Sequence, residues 1–516
     1  MKIEGKEIFN HLYAIVLTTI FLLVGTIVAI HHEMWRDELQ AWLIARDSTS
    51  LIDLFRHLKY EGHPGLWHVL LMPLSRITKS PIIMQVFHLL IAATTVYLFV
   101  RYAPFNLLNK FLFVFGYFSL YEYAILCRNY GIGLLLICLF CILFPQRYAK
   151  FPLVGAILFL LGHTSVHALI IVIAIGCGLM FDFLSTRKRM LAEGYNREWR
   201  IWLGFGLIAL GIITSVLQLN PPPDTGFATG WKWNFDVAHL QKVVKIMTRA
   251  FFPIPRAELH FWGSQWLENY ALFRAIQLHL SYLLIIWFAL VLLRKPSALL
   301  TYLMGTVGLL TFFYVKYFGS MRHHGFLFLL FILVAWVYQH CGTVKLERMN
   351  RLSTVWGKSF TPILTVILVF HFIGGITAIR MDYRHVFSYG KRTAEYIKAE
   401  NMQDMLMVGH GDFAVSTVVG YLEKDAVHYM RGDRSGSFVR WDNLRNHPVS
   451  DEQVVQRAKA FRDEQKRDVL IIMNQALDKE LVAQNGLTEL VKFTGSTVGN
   501  EGFYLYLMPK VALGAP

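Results

Sequence analysis

Long apolar runs separated by short polar and basic segments dominate the first 380 residues of the chain. Runs close to the roughly 20 residues that a helix needs to cross a bilayer lie at 11–30, 81–100, 201–219, 272–293, 297–315, 325–340 and 360–379. Lys and Arg collect in alternate connecting segments, as they do in the cytoplasmic loops of membrane proteins. The pattern predicts spanning helices with a first external loop at 31–80 and an aromatic-rich external loop at 220–270.

Two further apolar stretches, 111–144 and 151–183, each begin and end beside basic residues. Because both ends of each stretch should then be cytoplasmic, we expect two hairpins with limbs of roughly 15 residues. For 151–183 a single long helix is the alternative, but it places the basic segment 187–189 outside. With the two hairpins the chain has about 11 spans, and each inferred cytoplasmic loop is basic.

The pattern changes from residue 381 onward. Strand-like runs at 405–409, 426–430, 468–473 and 503–508 alternate with helical stretches at 452–466 and 477–484. We therefore expect an α-helical polytopic membrane domain at 1–380 and a small extracytoplasmic α/β domain at 381–516. The segment "GHGD" at 409–412 follows a strand but lacks the glycine spacing of a nucleotide-binding turn.

Composition agrees with this pattern and excludes other classes. Of the 516 residues, 55% are hydrophobic and 16% are charged, which lies outside the range of ordinary soluble domains. The net charge of +15 does not indicate nucleic-acid binding, because the basic residues fall between apolar runs. All five cysteines lie in or beside apolar stretches, and the CxxC at 138–141 is typical of packing.

With this topology, most charged residues and histidines near the membrane fall on its outer face. They are Asp37, Glu38, Glu61 and His63 from the first loop, Glu122 and Arg128 from the first hairpin, His163 and His167 from the second, and Lys316, Arg322, His323 and His324 from the turn after 297–315. Ionisable groups at membrane depth usually line a functional cavity. A transporter places them near the midplane, often between repeated halves. Clustering at one face instead favours an enzyme that takes a substrate from the outer leaflet.

Glycosyl transfer from a lipid phosphate is a reaction that such a cluster suits. It needs a base for the acceptor hydroxyl, which a carboxylate supplies. It also needs cations for the leaving phosphate, and the planar fork of arginine suits that task. Both kinds of group are expected on the same side of this membrane.

Two segments of the first loop resemble a known family. "WRDELQAWLIARDS" (35–48) followed by "EGHPGLWHVLLMPLSR" (61–76) is similar to the first external loop of GT-C glycosyltransferases. The similarity is closest to the branch of protein O-mannosyltransferases and the lipid A aminoarabinose transferase. There an Asp-Glu pair precedes an "Ala-Arg" helix, and a "His-Pro-Pro-Leu" element follows; here Gly65 replaces the second proline.

The resemblance implies an inverting glycosyltransferase that uses a polyprenyl-phosphate sugar at the outer face of a bacterial inner membrane. Its acceptor would be a hydroxyl of a glycan, a lipid or a protein. By position in the motifs, Asp37 matches the catalytic or acceptor-orienting acid, Glu38 its acidic neighbour, and His63 the histidine of the proline element. Arg128, Arg322 and Lys316 match no motif, and their predicted role in binding the donor phosphate rests on charge and topology.

A divalent metal is used by some members of this family. Glu61, His63, His163 and His167 are the candidate ligands here. The spacing of His163 and His167 places them on one helix face, unless a turn at 162–165 intervenes.

Structural explanations remain open for several of these residues. Asp37 and Glu38 are acids at a predicted helix start, where the helix dipole favours negative charge. Side chains at adjacent helical positions point about 100° apart, so the two acids should not share one task. Glu122 and Arg128 could simply pair with each other. The remaining alternatives are anchoring at the membrane interface for Arg36, Arg322, His323 and His324, and an aromatic belt for Trp231 and Trp233.

Two other functions are also open from the sequence. A lipid or polysaccharide transporter or flippase predicts midplane charges and internal symmetry. A non-catalytic subunit of a glycan assembly complex predicts that Asp37→Asn leaves activity in cells intact.

Overall fold

A computed structural model describes residues 2–192, 196–226, 230–343 and 347–510. The chain is mostly helical as far as Arg384 and ends in a domain built on a β-sheet. The helices of its first part are α1 (Lys2–His31), α2 (Arg36–Asp47), α3 (Leu51–His57), α4 (Leu66–Ser75), α5 (Ile82–Tyr102), α6 (Leu107–Val114), α7 (Tyr130–Leu143), α8 (Phe151–Gly162), α9 (Val166–Ala192) and α10 (Glu198–Leu219).

The second part of the helical region includes the long segment at 220–270, predicted to be an external loop, and the last long helices. Its helices are α11 (Val237–Val244), α12 (Ile246–Phe251), α13 (Ala271–Leu292), α14 (Pro296–Val315), α15 (Met321–Val337), α16 (Glu347–Gly357) and α17 (Phe360–Arg384). Within the described ranges, 8 helical segments are long and apolar enough to cross a membrane: Glu7–His31, Ile82–Tyr102, Val166–Ala192, Glu198–Leu219, Ala271–Leu292, Pro296–Val315, Met321–His340 and Phe360–Arg384. These helices are typical of a multi-pass membrane protein.

Both stretches predicted as hairpins do reverse direction, but their limbs differ from the prediction. In the first, α6 leads into a π-helical turn (Tyr117–Glu122), and the chain reverses before α7. In the second, α8 has 12 residues and α9 has 27, with the reversal at 163–165. Helix α9 continues through the basic segment 187–189 because Arg and Lys are favourable helix residues. Because the limbs α6, α7 and α8 are short, the described residues hold 8 helices of full spanning length, and the count of about 11 spans, which includes short hairpin limbs, stays a prediction.

Helices α8 and α10 approach each other closely through glycines. A Cβ atom on Gly204 would lie 2.6 Å from the backbone oxygen of Phe151, and one on Gly211 would lie 2.8 Å from the Cα of Phe159. Small residues at such contacts let membrane helices pack at short range. The contact holds the second hairpin against α10.

The C-terminal domain is a three-layer α/β unit. Its elements are α18 (Gly390–Ala399), β1 (Leu406–Gly409), α19 (Asp412–Leu422), β2 (Val427–Tyr429), β3 (Arg434–Gly436), α20 (Asp451–Gln465), β4 (Val469–Met473), α21 (Lys479–Gln484), β5 (Thr488–Phe493) and β6 (Phe503–Met508). The strand order is β3-β2-β1-β4-β6-β5, with β1 parallel to both β2 and β4. Helices α18 and α19 cover one face and α20 the other.

The four strands predicted from the sequence correspond to β1, β2, β4 and β6. Strand β4 is buried along its whole length, as expected for an apolar run covered on both faces. The two strands that the sequence pattern missed, β3 and β5, lie at the two edges of the sheet. Edge strands carry more polar residues and therefore give a weaker apolar signal.

The C-terminal domain rests on the segment at 31–80, which the sequence predicts to be the first external loop. Helix α19 packs on α2, where the hydroxyl of Tyr421 accepts a 2.7 Å hydrogen bond from the Met34 N–H. The amide of Gln40 exchanges two hydrogen bonds with the backbone of Val439, at 2.7 and 2.9 Å. Helix α17 runs to Arg384, a few residues past the domain boundary predicted at 380. The domain therefore covers the end of the helical region where the candidate site residues lie.

Candidate functional site

Asp37 lies between two arginines that come from distant parts of the chain. Its Oδ2 is 3.5 Å from Nη1 of Arg128 and 3.3 Å from Nη2 of Arg322. The same Nη1 also donates a 2.5 Å hydrogen bond to the Asp37 carbonyl oxygen. The carboxylate is 27% exposed, while the side chains of Arg128 and Arg322 are 11% and 14% exposed. Two positive charges thus face one partly accessible negative charge.

Four helices begin at this point. Asp37 is the second residue of α2, Arg322 is the second of α15, and His167 is the second of α9. Arg128 lies two residues before the start of α7, next to its N-cap residue Asn129. A helix carries partial positive charge at its N-terminus. The converging N-termini and the two guanidinium groups together favour an anion such as a phosphate.

Two indole rings hold the guanidinium group of Arg322. Its Cζ lies 5.4 Å from the ring centroid of Trp35 and 5.0 Å from that of Trp262. The two indoles contact each other edge to face, with centroids 4.7 Å apart. The Tyr123 hydroxyl donates to the Arg322 carbonyl oxygen at 2.8 Å. Cation–π contacts of this kind restrict an arginine to one orientation.

Glu122 supports this arrangement rather than pairing with Arg128. Its Oε2 accepts hydrogen bonds from the Tyr117 hydroxyl at 2.9 Å and from the Trp262 indole at 3.2 Å. Arg128 bonds instead to Asp37 and to His63. The fold therefore does not form the simple Glu122–Arg128 pair that the sequence left open.

Glu38 is buried and points away from Asp37. Its carboxylate accepts from the backbone N–H groups of Cys127 at 2.6 Å and Trp35 at 3.1 Å. It also contacts Nε2 of His32 at 3.1 Å, and Nδ1 of that histidine lies 2.9 Å from Asp382. As expected for neighbouring helical positions, the two acids have different surroundings. Glu38 caps α2 and links it to the first hairpin.

Arg36 joins the first loop to the C-terminal domain. The alternative considered above was an anchor at the membrane interface. Its Nη1 donates to Oδ1 of Asn500 at 2.7 Å. Its backbone N–H donates to Oε1 of Glu501 at 3.3 Å. Burial raises the pKa of Glu501 to about 7, although the charge of Arg36 opposes that rise. The C-terminal domain thereby contacts the start of α2, one residue from Asp37.

Glu61 and His63 line the same site from the loop after α3. Gln40 donates a 2.7 Å hydrogen bond to Oε1 of Glu61. Burial raises the pKa of Glu61 to about 7, an effect that Gln40 and Arg128 reduce. His63 lies with Nε2 3.3 Å from Nη2 of Arg128. Burial and the adjacent Arg128 hold the pKa of His63 well below its usual range, so it is neutral and accepts from the guanidinium.

The four other predicted histidines separate into two pairs. His167 and His323 lie near the arginines, with ring centroids 4.9 Å apart. His324 contacts the Phe318 carbonyl oxygen at 3.0 Å through Nε2. His163 contacts the Thr214 hydroxyl at 3.0 Å, which joins α8 to α10. Because their rings bond to these partners, His163 and His324 stabilise contacts within the helical region.

Lys316 and the exposed tryptophans form a separate feature at the outer surface. The ammonium of Lys316 lies over the Trp231 ring, 4.9 Å from its centroid. Trp231 and Trp233 stack in parallel at 5.3 Å, and both are exposed. This is compatible with the aromatic belt considered for the loop.

The predicted metal ligands are not assembled. Across the described residues, no group of three or more His, Cys, Asp or Glu side chains could hold a metal ion. His163 is bonded to α10, and Glu61 is bonded to Gln40. His163 and His167 do not share a helix face, because the chain turns at 163–165 between α8 and α9; this confirms the turn considered from the sequence.

Several residues of the site carried no usable sequence signal. Trp262 lies in an aromatic-rich segment whose default assignment is the membrane belt. Trp35 and Gln40 lie within the first-loop segment at 35–48 but carry no charge. Tyr130 opens an apolar helix, where a tyrosine is ordinary. Only proximity to the arginines marks these side chains as part of the site.

Comparison with known proteins adds no family to this description. No protein-family model and no curated protein sequence matches the chain.

Proposed function

We propose that the protein is a membrane glycosyltransferase that moves a sugar from a polyprenyl-phosphate donor to an acceptor hydroxyl. The observation that carries the proposal is the partly exposed Asp37 carboxylate, held between Arg128 and Arg322 where four helix N-termini converge. The membrane is a bacterial inner membrane, with the site and the C-terminal domain on its periplasmic side. The acceptor hydroxyl belongs to a glycan, a lipid or a protein.

The two arginines bind the donor phosphate in this mechanism. The bond between the anomeric carbon and the phosphate oxygen breaks, and its electron pair leaves with the polyprenyl phosphate. That product carries one more negative charge than the donor. Guanidinium groups placed where charge develops stabilise the transition state. The indoles that hold Arg322 keep its fork in place without neutralising it.

Asp37 acts as the base. It takes the proton of the acceptor hydroxyl as the new bond forms between that oxygen and the anomeric carbon. Attack on the face opposite the phosphate inverts the configuration at this carbon. Glu38, which is buried and capped into the fold, positions α2 and so the base. When the donor phosphate occupies the two arginines, it replaces their contacts with Asp37 and frees the carboxylate for the acceptor.

The Asp37→Asn variant tests the role of Asp37 directly. A general base contributes roughly 10²–10⁴-fold to rate, so purified Asp37→Asn protein should lose at least about a hundredfold in transfer. Asp53→Asn is the matched control, because its carboxylate lies in the same loop and is 26% exposed. The control should keep wild-type transfer.

Mass spectrometry of lipids that copurify with the protein tests the donor class. A polyprenyl-phosphate monosaccharide supports the proposal. Full transfer by purified Asp37→Asn would remove Asp37 as the base, and the absence of any transfer by the wild-type protein from such lipids would overturn the function itself.

A further inference from the structure

Buried polar rings from four parts of the chain lie beside the two arginines. We call His63, Tyr130, His167 and His323 the histidine–tyrosine cluster. His323 contacts both His167 and Tyr130, at centroid distances of 4.9 and 5.7 Å. Arg128 connects His63, the fourth member, to the other three. Its Nη2 is 3.3 Å from Nε2 of His63, and its Cζ is 5.8 Å from the ring centroid of Tyr130. The cluster is therefore continuous with the phosphate-binding arginines.

Three members of the cluster have polar atoms that the protein does not satisfy. Both ring nitrogens of His167, the hydroxyl of Tyr130 and Nδ1 of His63 are buried and have no hydrogen-bond partner among the residues described. His167 is 2% exposed and Tyr130 is 0% exposed. Nearly all buried polar groups in proteins are hydrogen-bonded, so several unsatisfied ones at one place need an explanation.

Packing does not explain His167. Its ring lies against three phenyl rings, those of Phe312, Phe313 and Phe326, each at a centroid distance of 5.4 Å. Among such neighbours a phenylalanine would fill the same space without burying two unpaired nitrogens. A polar partner that enters the site would account for the imidazole.

The unsatisfied atoms match a neutral hydroxylated ligand. A neutral imidazole offers one donor and one acceptor, and a tyrosine hydroxyl offers both. In His63, Nε2 accepts from Arg128, which leaves the proton on Nδ1 as a donor. Sugar hydroxyls also act as both donor and acceptor, whereas the oxygens of a phosphate diester only accept.

We infer that the histidine–tyrosine cluster binds the hydroxyl groups of the donor sugar while Arg128 and Arg322 bind its phosphate. The inference rests on the proposed function. In a polyprenyl-phosphate sugar the ring is directly bonded to the phosphate, so neighbouring sites for the two groups are required. The geometry supplies them, because Arg128 contacts both Asp37 and the cluster.

Lipid binding to the purified full-length protein tests this assignment. The probes are undecaprenyl phosphate and undecaprenyl-phosphate monosaccharides that carry glucose, mannose, N-acetylglucosamine or aminoarabinose, measured by native mass spectrometry. The monosaccharide lipid that binds the wild-type protein best is then used with the variants. Tyr130→Phe and His167→Phe should each weaken its binding about tenfold, the loss expected for one or two hydrogen bonds to a buried group. Binding of undecaprenyl phosphate should stay within about twofold.

Two further variants separate the possible outcomes. Arg322→Met should weaken both kinds of lipid. Tyr302→Phe is the matched control, since Tyr302 is equally buried but packs against Phe288 in the helical core, and it should change neither. Equal effects of Tyr130→Phe and His167→Phe on both lipids, or no effect on either, would overturn the sugar assignment and leave the proposed function standing. A wild-type protein that binds none of the lipids would overturn both.

Discussion

Replacing Arg322 with lysine separates the charge of this residue from its shape. Lysine keeps one positive charge but offers a point charge on a flexible stem in place of a planar fork. In the structure the guanidinium of Arg322 contacts Asp37 at 3.3 Å and lies 5.4 and 5.0 Å from the centroids of Trp35 and Trp262. The variant therefore loses orientation while the local net charge stays the same.

The size of the loss follows from these contacts. Each cation–π contact contributes about 1 kcal/mol at a partly buried site, and a hydrogen bond to a charged group contributes about 1.5–3 kcal/mol. Two cation–π contacts and one such hydrogen bond together contribute about 3.5–5 kcal/mol, so the variant should lose roughly several hundredfold or more in kcat/KM. Arg322→Met also removes the charge, and a charge pair about 4 Å apart at an effective dielectric constant of 20 adds about 4 kcal/mol. That variant should lose roughly a further thousandfold.

The assay is transfer from the undecaprenyl-phosphate monosaccharide that the wild-type protein binds best in the lipid-binding experiment, measured with purified variants in detergent. Arg249→Lys is the matched control, because Arg249 forms a two-bond pair with Glu268, at 2.8 and 2.7 Å, outside the site. It should leave kcat/KM within about threefold, as expected for a residue that touches no reacting group. If Arg322→Lys also stays within about threefold while its melting temperature is unchanged, the orientation argument is refuted.

Three further predictions concern pH, packing and the C-terminal domain. Burial raises the pKa of Glu61 from 4.5 to about 7. Between these two pH values the folded protein holds a proton that the unfolded chain releases, so the free energy of unfolding falls as pH rises. Glu61→Gln should reduce the fall in melting temperature between about pH 4.5 and 7, and an unchanged slope would contradict it. Gly204→Ala should lower the melting temperature, because the new Cβ would lie 2.6 Å from the backbone oxygen of Phe151. Gly206→Ala is the control and should leave the melting temperature unchanged, because a Cβ at that position meets nothing within 4 Å. Equal effects of the two variants would contradict the packing account. Arg445→Met should destabilise the C-terminal domain by about 3–5 kcal/mol. The reason is that Asp412 stays buried and loses the guanidinium that lies 2.8 Å from its carboxylate. A rate of limited proteolysis equal to that of the wild-type protein would contradict this prediction.

The long helices were predictable because their signal is local. A run of apolar residues with the length of a bilayer specifies a spanning helix without reference to the rest of the chain. The run at 297–315 corresponds to α14 (Pro296–Val315), and the run at 272–293 corresponds to α13 (Ala271–Leu292). Helix ends next to basic residues were less predictable. There α9 continues to Ala192, since Lys and Arg extend a helix as readily as they end an apolar run.

The candidate site was predictable only as a list of residues on one side. Topology placed Asp37, Arg128 and Arg322 at the outer face, and the structure brings all three into contact. The same reasoning placed His163 and His324 there, yet both side chains bond elsewhere. Charge and topology determine at which end of a helix a residue lies, but not which way the helix is rotated.

The sequence by itself determined the class of this protein: long apolar helices that suit a membrane, and a terminal α/β domain. These follow from composition and period, which act over a few neighbouring residues. Only the tertiary structure decided that Trp35 and Trp262 hold Arg322, that Glu38 turns inward, and that a buried histidine–tyrosine cluster adjoins the arginines. Those contacts join residues that are far apart in the chain, and they depend on helix rotation, which packing sets across the whole bundle.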